Sequence, residues 1–344
     1  MPTIFDFVNA PEMVSFWETL NKDRPPYLGE TLFPAQKKLG LDLKWIKGSS
    51  GLPVVLKPSA FDVGAVPRTR IGFDRLSAEM PFFKESLYID EESRQQLNMV
   101  LETGNQAYIE AVLNKIYNDN TILLEGARAR REQMRMMALT TGSISITANG
   151  QNFDFDYGMP TGHKKSAVAS WGDTDSNIGE DILAGMDQIE EDTGVRPTRA
   201  VCDRAVWNKM LRNNGFKAAI YVMSSGNATL TDTVLRQHLQ DVYGLEVVVY
   251  GKRYNNDLGV PTKFVPDDTF VLFPPSNLGT TWFGTTPEES DLLGKAVANV
   301  SITDVGVAVT SVQKTDPVNV ETKVTMIALP SFETADQVFI LDVA

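Results

Sequence analysis

Two histidines and a single cysteine are all this chain offers for imidazole or thiol chemistry. His163 lies in Gly162-His163-Lys164-Lys165, a predicted loop whose cations disfavour a charge on the ring. His238 shares a predicted helix with Gln237 and Gln240 and is expected on a solvated face. Cys202 beside either histidine would make a thiol nucleophile. It sits, however, in the apolar run Ala200-Val201-Cys202, which suits a buried, inert thiol. Asp154 and Asp156 share one face of a predicted strand with no histidine nearby. Asp173-Thr174-Asp175-Ser176-Asn177 resembles part of a calcium loop but lacks its glycine and closing glutamate, and is expected to cap the following helix. No phosphate loop, dinucleotide fingerprint or serine-nucleophile elbow is present. The residues therefore predict no catalytic, cofactor or metal site, and a protein that is not an enzyme.

One basic cluster stands out. Arg128, Arg130, Arg131 and Arg135 crowd the end of a predicted helix, where Arg131 and Arg135, four apart, repel. Such a cluster is either a solvated helix end favoured by the dipole or a surface that meets carboxylates of an adjacent copy. The chain is acidic, with a net charge of −12, so a second copy would supply them.

The helix that carries these arginines is predicted to run from Asp90 to Gly142. Leu97, Leu101, Tyr108, Val112, Ile116, Leu123, Ala127, Met134 and Ala138 form an apolar stripe, with Glu110, Glu125, Arg128, Arg131, Glu132 and Arg135 opposite. Asp90 is the expected N-cap and Gly142 the stop. About fifty residues would span roughly 75 Å, whereas a globule of this chain length is about 50 Å across. Either the helix breaks, at Gly104 or Gly126, or it finds partners in other subunits.

Around this helix the other elements fall into order. Residues 1–36 form an arm with a short helix over Pro11–Leu20. Leu39, Leu41, Leu43 and Trp45 alternate as a half-buried strand. Gly48-Ser49-Ser50-Gly51 makes a tip and Leu52–Lys57 begins a return strand. Pro53, Pro58, Pro67 and Pro81 confine these strands to edges. Beyond the long helix, Ser143–Thr147 and Phe153–Tyr157 flank an Asn149-Gly150 turn. Residues 161–177 read as a loop. Helices over Asn177–Thr193, Arg204–Asn213 and Thr231–Tyr243 then alternate with strands at Ala200–Cys202, Leu245–Tyr250 and Thr269–Phe273, an α/β domain of its own. Strands at Val305–Val312, Val318–Leu329 and Val338–Val343 are expected to form a sheet under the helix stripe.

Composition is that of an ordinary globular protein, and no apolar run is long enough to span a membrane. The N-terminus has no basic region of a signal peptide, and one cysteine excludes an intrachain disulfide framework. An acidic chain does not grip nucleic acid through counterion release.

The order of parts (arm, β excursion, spine helix, inserted α/β domain, β return) resembles the major capsid proteins of tailed phages, with the Hong Kong 97 fold. Gly244-Leu245-Glu246-Val247-Val248-Val249-Tyr250, then Tyr254 and Lys263-Phe264-Val265-Pro266-Asp267-Asp268-Thr269, resemble the lambda-type major head protein, the capsid protein E family. So do Ala200-Val201-Cys202-Asp203 leading to Trp207, and Val324-Thr325-Met326-Ile327-Ala328-Leu329-Pro330 with the closing strand. The resemblance implies an α+β chain divided as follows: an arm at 1–36, an extended hairpin loop at 37–82, a peripheral domain at 83–168 with its spine helix at 90–140, an axial domain at 169–292, and returning peripheral strands at 293–344. It implies hexamers and pentamers in an icosahedral shell around double-stranded DNA, assembled in the host cytoplasm as an expanding precursor. The implied partners are a separate scaffolding protein, a portal protein and a possible decoration protein. Trp45, Arg128, Arg131 and Arg135 are the candidate subunit-contact residues. The competing expectations are an encapsulin-like nanocompartment and a Cys–His hydrolase using Cys202.

Overall fold

The computed structural model describes residues 9–46, 75–89, 91–103, 106–221, 229–256, 258–292, 299–315 and 318–344. Helix α1 (Ala10–Asn21) begins where the Asn9 side chain accepts a hydrogen bond from the Glu12 N–H at 3.0 Å, with Pro11 in the first turn. Its buried face is Ala10, Met13, Val14 and Trp17. The short helix α2 (Leu28–Leu32) and strand β1 (Ala35–Lys37) follow. Strand β2 (Asp42–Ile46) pairs with β3 (Arg75–Glu79) in a two-stranded ribbon. The expected glycine-serine tip and the return strand from Leu52 lie outside the described residues. Strand β4 (Phe82–Tyr88) starts directly after Pro81 and, among the described residues, pairs with β16 alone, as a proline-flanked edge strand should.

Helices α3 (Glu91–Thr103) and α4 (Gln106–Thr141) lie on either side of residues 104–105. The expected cap at Asp90 and break at Gly104 fall outside the described residues. Helix α4 has 36 residues, so it is about 54 Å long. It runs through Gly126 without interruption and stops at Gly142, whose φ of 70° ends the helix. The sequence expectation of one apolar and one solvated face needs correcting near its end. Met134 and Ala138 of the stripe are buried, but so are Arg131, Glu132 and Arg135. This part of the helix is enclosed all round, and hydropathy alone assigned its charged side to water.

Strands β5 (Ser143–Ala148) and β6 (Gln151–Asp156) form the predicted hairpin, its turn made by Asn149 and Gly150 at positive φ. The expected loop at 161–177 contains strand β7 (Lys164–Ser166). Helix α5 (Ile178–Thr193), strand β8 (Arg199–Cys202), helix α6 (Arg204–Arg212), a further helix α7 (Asn214–Ile220), helix α8 (Asp232–Tyr243) and strand β9 (Glu246–Val249) come next. A hairpin of β10 (Arg253–Asn255) and β11 (Pro261–Lys263) leads to β12 (Thr269–Phe273) and β13 (Thr281–Phe283). A π-helical turn spans Glu288–Leu292. Strands β14 (Asn299–Thr303), β15 (Val307–Thr315), β16 (Val318–Pro330) and β17 (Phe339–Asp342) close the chain. Val305, expected in a strand, lies in the turn between β14 and β15, where Asp304 takes a φ of 50°.

The chain divides into two compact units. The first holds Met1–Leu43, Ala78–Met134 and Thr280–Ser331. Its sheet has the order β1-β13-β16-β15-β14, with β4 also on β16. The long strand β16 is its axis: β15 covers one edge, while β4 and then β13 share the other. Ile327, Ala328 and Leu329 are consecutive and all buried, so both faces of the sheet are covered there.

The second unit holds Lys44–Ser77, Arg135–Gly279 and Phe332–Ala344. Its sheet runs β7-β17-β12-β8-β9. Thus β17, expected beside β15 and β16, lies between β7 and β12 instead. Its run Val338-Phe339-Ile340-Leu341 is apolar throughout, which suits a central strand buried on both faces. Helix α5 packs close on this sheet because residue 185 is glycine: a Cβ there would stand 3.0 Å from Leu272 and Phe339 carbons. Trp171, Ile182, Met186, Trp207, Leu239 and Phe270 fill the core.

Candidate functional site

The residues with conventional reactivity do not form a reactive site. Cys202 ends β8 with 0 % exposure, and burial pushes its thiol up to about 12. A thiol of that acidity stays protonated at neutral pH and is a poor nucleophile. His163 is not the loop residue beside cations that its neighbours suggested. It closes a 3-10 turn and is itself buried, with its Nε2 2.9 Å from Asp192 Oδ2. The hydrogen bonds from His163 and Gln188 hold the Asp192 carboxyl below its ordinary range. His238 is half-buried rather than solvated and meets Phe216 and Tyr243 edge-on; desolvation lowers its pKa.

The carboxylate pairs are engaged by backbone and side-chain amides nearby. Asp156 accepts from the Gly158 N–H at 2.9 Å, and Asp154 takes the Asn152 amide. Asp173 accepts from the Asp175 N–H at 3.0 Å, and Asn213 donates to the carbonyls of Thr174 and Ser176. Asn177 stands at the N-cap of α5 without a side-chain capping bond, so the expected cap is absent there. Among the described residues no group of three or more metal-ligating side chains comes together.

The arginine cluster is built into its own subunit. Arg128 donates through Nε to Glu30 Oε1 at 2.9 Å and through Nη2 to Oε2 at 3.2 Å, a two-pronged contact that also stacks on the Tyr27 ring. The hydrogen bonds that Arg128 donates to Glu30 raise its pKa against its desolvation. Glu30 Oε2 accepts as well from the Tyr27 N–H, so one carboxylate caps α2 and clamps α4. Arg131, 5 % exposed, pairs with Asp304 in the β14–β15 turn and lies over the Phe283 ring. Glu132, fully buried, accepts from the Gly29 N–H at 3.0 Å. Arg24 pairs with Glu125, and Tyr117 donates to Glu12 at 2.8 Å. Arg135 is 2 % exposed. Trp45 lies in β2, and its side chain falls outside the described residues. The carboxylate partners Glu30 and Asp304 were not singled out by sequence. The Tyr27-x-x-Glu30 spacing at a helix start was the one local sign; the Asp304 contact is 173 residues away in sequence.

A second buried charge group braces the π-helical turn in the same unit. Lys323 Nζ is 2.7 Å from Glu288 Oε1, and the Thr325 hydroxyl donates to Oε2 at 3.1 Å. Burial raises the Glu288 pKa, but the hydrogen bonds from Lys323, Thr325 and its own backbone outweigh it and hold the carboxyl below its usual range. The chemistry of all these groups is clamping: they fix the arm, the long helix and the sheet of the first unit to one another.

A long helix beside a β sheet, an α/β unit inserted between its strands and a terminal arm clamped to the helix define the Hong Kong 97 capsid fold. The prophage capsid protein of E. coli CFT073 is similar, with 16% identity, a TM-score of 0.61, and coverage of 98% of this chain and 99% of that one. A phage-related protein of Bordetella bronchiseptica RB50 has 13% identity and a TM-score of 0.57 over 98% and 97% of the two chains. The capsid asymmetric unit of cyanophage A-1(L) has 11% identity and a TM-score of 0.51 over 92% of each. None of the curated proteins compared with the chain matches it. The profile of phage major capsid protein E matches residues 12–343, and the chain belongs to that family. It is a structural protein of the virion capsid that assembles with copies of itself.

Proposed function

We propose that copies of this chain form hexamers and pentamers that close into an icosahedral shell around double-stranded DNA, by way of a scaffolded precursor that expands. The match of the capsid family across residues 12–343 carries this reading. Three physical features support it: a helix of about 54 Å, a β2–β3 ribbon of only two strands, and a net charge of −12 that encloses DNA without gripping it. Residues 1–36 act as the arm, 37–82 as the loop laid over a neighbour, 83–168 and 293–344 as the peripheral domain, and 169–292 as the axial domain. Trp45 contacts the neighbour at the loop. Arg128, Arg131 and Arg135 serve subunit contact indirectly, by holding the arm and spine in the geometry that neighbours meet. The partners are a separate scaffolding protein, a portal protein and a possible decoration protein, with assembly in the host cytoplasm.

The test is coexpression with the scaffolding protein of the same phage, followed by electron microscopy. Closed particles of uniform size are expected, and a stable monomer under those conditions overturns the reading. Shells that form with no scaffolding protein and enclose an enzyme would instead identify a nanocompartment.

A further inference from the structure

The second unit carries a cavity of ≈ 350 Å³ whose lining combines apolar, basic and neutral polar side chains. Leu211 and Leu230 supply the apolar part, Arg212 and Lys217 the charge, and Asn208 and Thr229 neutral polar groups. Among the described residues neither Arg212 nor Lys217 has a carboxylate partner. Two other cations of α6 do: Arg204 pairs with Asp232, and Lys209 with Asp268. Two cations left beside apolar side chains, in a chain of net charge −12, make a receptor for an acidic surface with an apolar centre.

The same unit presents such a surface. Helix α5 buries Ile178, Ile182, Met186 and Ile189, so its opposite face is free. That face reads Glu180, Leu183, Ala184, Asp187 and Glu191, all exposed and at helical spacing. Carboxylates stand at its two ends, and Leu183 and Ala184 lie between them. Asp187 shares Arg196 with Glu190, whereas Glu180 and Glu191 have no cationic partner among the described residues.

Resting on the shell reading above, we infer that the Glu180–Glu191 face of α5 in one copy docks on the Arg212–Lys217 cavity of the next. Donor and receptor are different patches of one chain, so the contact is heterologous and propagates around a ring, as a hexamer or pentamer requires. Glu180 and Glu191 meet Arg212 and Lys217, and Leu183 enters between Leu211 and Leu230.

Charge reversal in the full-length chain, coexpressed with its scaffolding protein, tests this. Arg212→Glu with Lys217→Glu should lower particle yield at least about tenfold, because like charges then face each other. Glu180→Lys with Glu191→Lys should do the same. Both sets lie on the surface, so thermal melts of the soluble subunit should match wild type. The chain carrying all four substitutions should recover particles, since the acidic and basic faces are then exchanged on every copy and each contact again pairs opposite charges. Particle yields unchanged by either double variant, or no recovery in the fourfold variant, overturn this contact and leave the shell reading standing. A wild-type chain that stays monomeric overturns both.

A second readout identifies the occupant. Leu183→Cys and Leu211→Cys on separate chains should form an interchain disulfide in oxidised particles, with buried Cys202 uninvolved. The rival occupant is the β10–β11 hairpin tip, where Leu258 is 87% exposed. A Leu258→Cys chain that crosslinks to Leu211→Cys, where Leu183→Cys does not, overturns the assignment.

Discussion

Arg131 shows what a charged side chain does when it is enclosed. Its guanidinium has an aromatic ring on one side and the Asp304 carboxylate on the other. Removing one partner of such a pair leaves the other poorly solvated. Arg131→Ala should therefore cost about 2–4 kcal/mol, discounted because Asp304 is partly exposed, and a urea midpoint shift measures it. Reversal of Arg128 and Arg131 should accordingly impair folding before it impairs assembly. Glu288 supplies the pH dependence. Its folded pKa lies below the unfolded value of about 4.3, so its contribution is present above that value and is lost as pH falls through the lower folded one. Melting temperature should hold steady from about pH 7 to pH 5 and fall below about pH 4. Glu288→Gln should lower the plateau and flatten the acid limb; an unchanged acid limb would place the titration elsewhere.

Helix α4 and the sheet beneath it set opposite demands on glycine. A Cβ at Gly126 would meet nothing within 4 Å, and the residue is itself exposed in a regular stretch of helix. Gly126→Ala should stabilise the subunit by about 1 kcal/mol, read as a raised unfolding midpoint. If the same variant loses particles, the glycine serves a bend of the helix within the shell. Gly284 is the converse. A Cβ there would stand 2.7 Å from the Ile327 methyl and 3.1 Å from the Gly40 carbonyl oxygen. Backbone cannot give way as a side chain does, so Gly284→Ala should cost about 1–3 kcal/mol. Circular dichroism melts of the two variants should move in opposite directions.

At the level of the whole molecule, exposed apolar side chains mark surfaces that a lone subunit leaves open. Leu39, Met99, Ile122, Val168 and Leu258 each stand more than half exposed. Met99 gives a chemical readout on α3: its peroxide oxidation, fast in the soluble subunit, should slow in assembled particles. Equal rates in both would place Met99 on a free surface of the shell.

Much of this was legible in local sequence, because local sequence determines local structure. The Asn149-Gly150 turn, the stop at Gly142 and the alternation of helices and strands from 178 to 273 follow from backbone preference and periodicity. The order of those elements resembles the tailed-phage capsid plan, and local runs such as Gly244–Tyr250 and Val324–Pro330 resemble the capsid protein E family, to which the chain belongs. Tertiary structure alone decided which elements share a sheet and which charges leave water. β17 is apolar on both faces and fits any central position; only pairing with β7 and β12 places it. Arg131 and Glu132 look like a solvated helix face because periodicity counts residue types along one helix. Their partners, Asp304 and Gly29, lie far away along the chain, where no local pattern reaches.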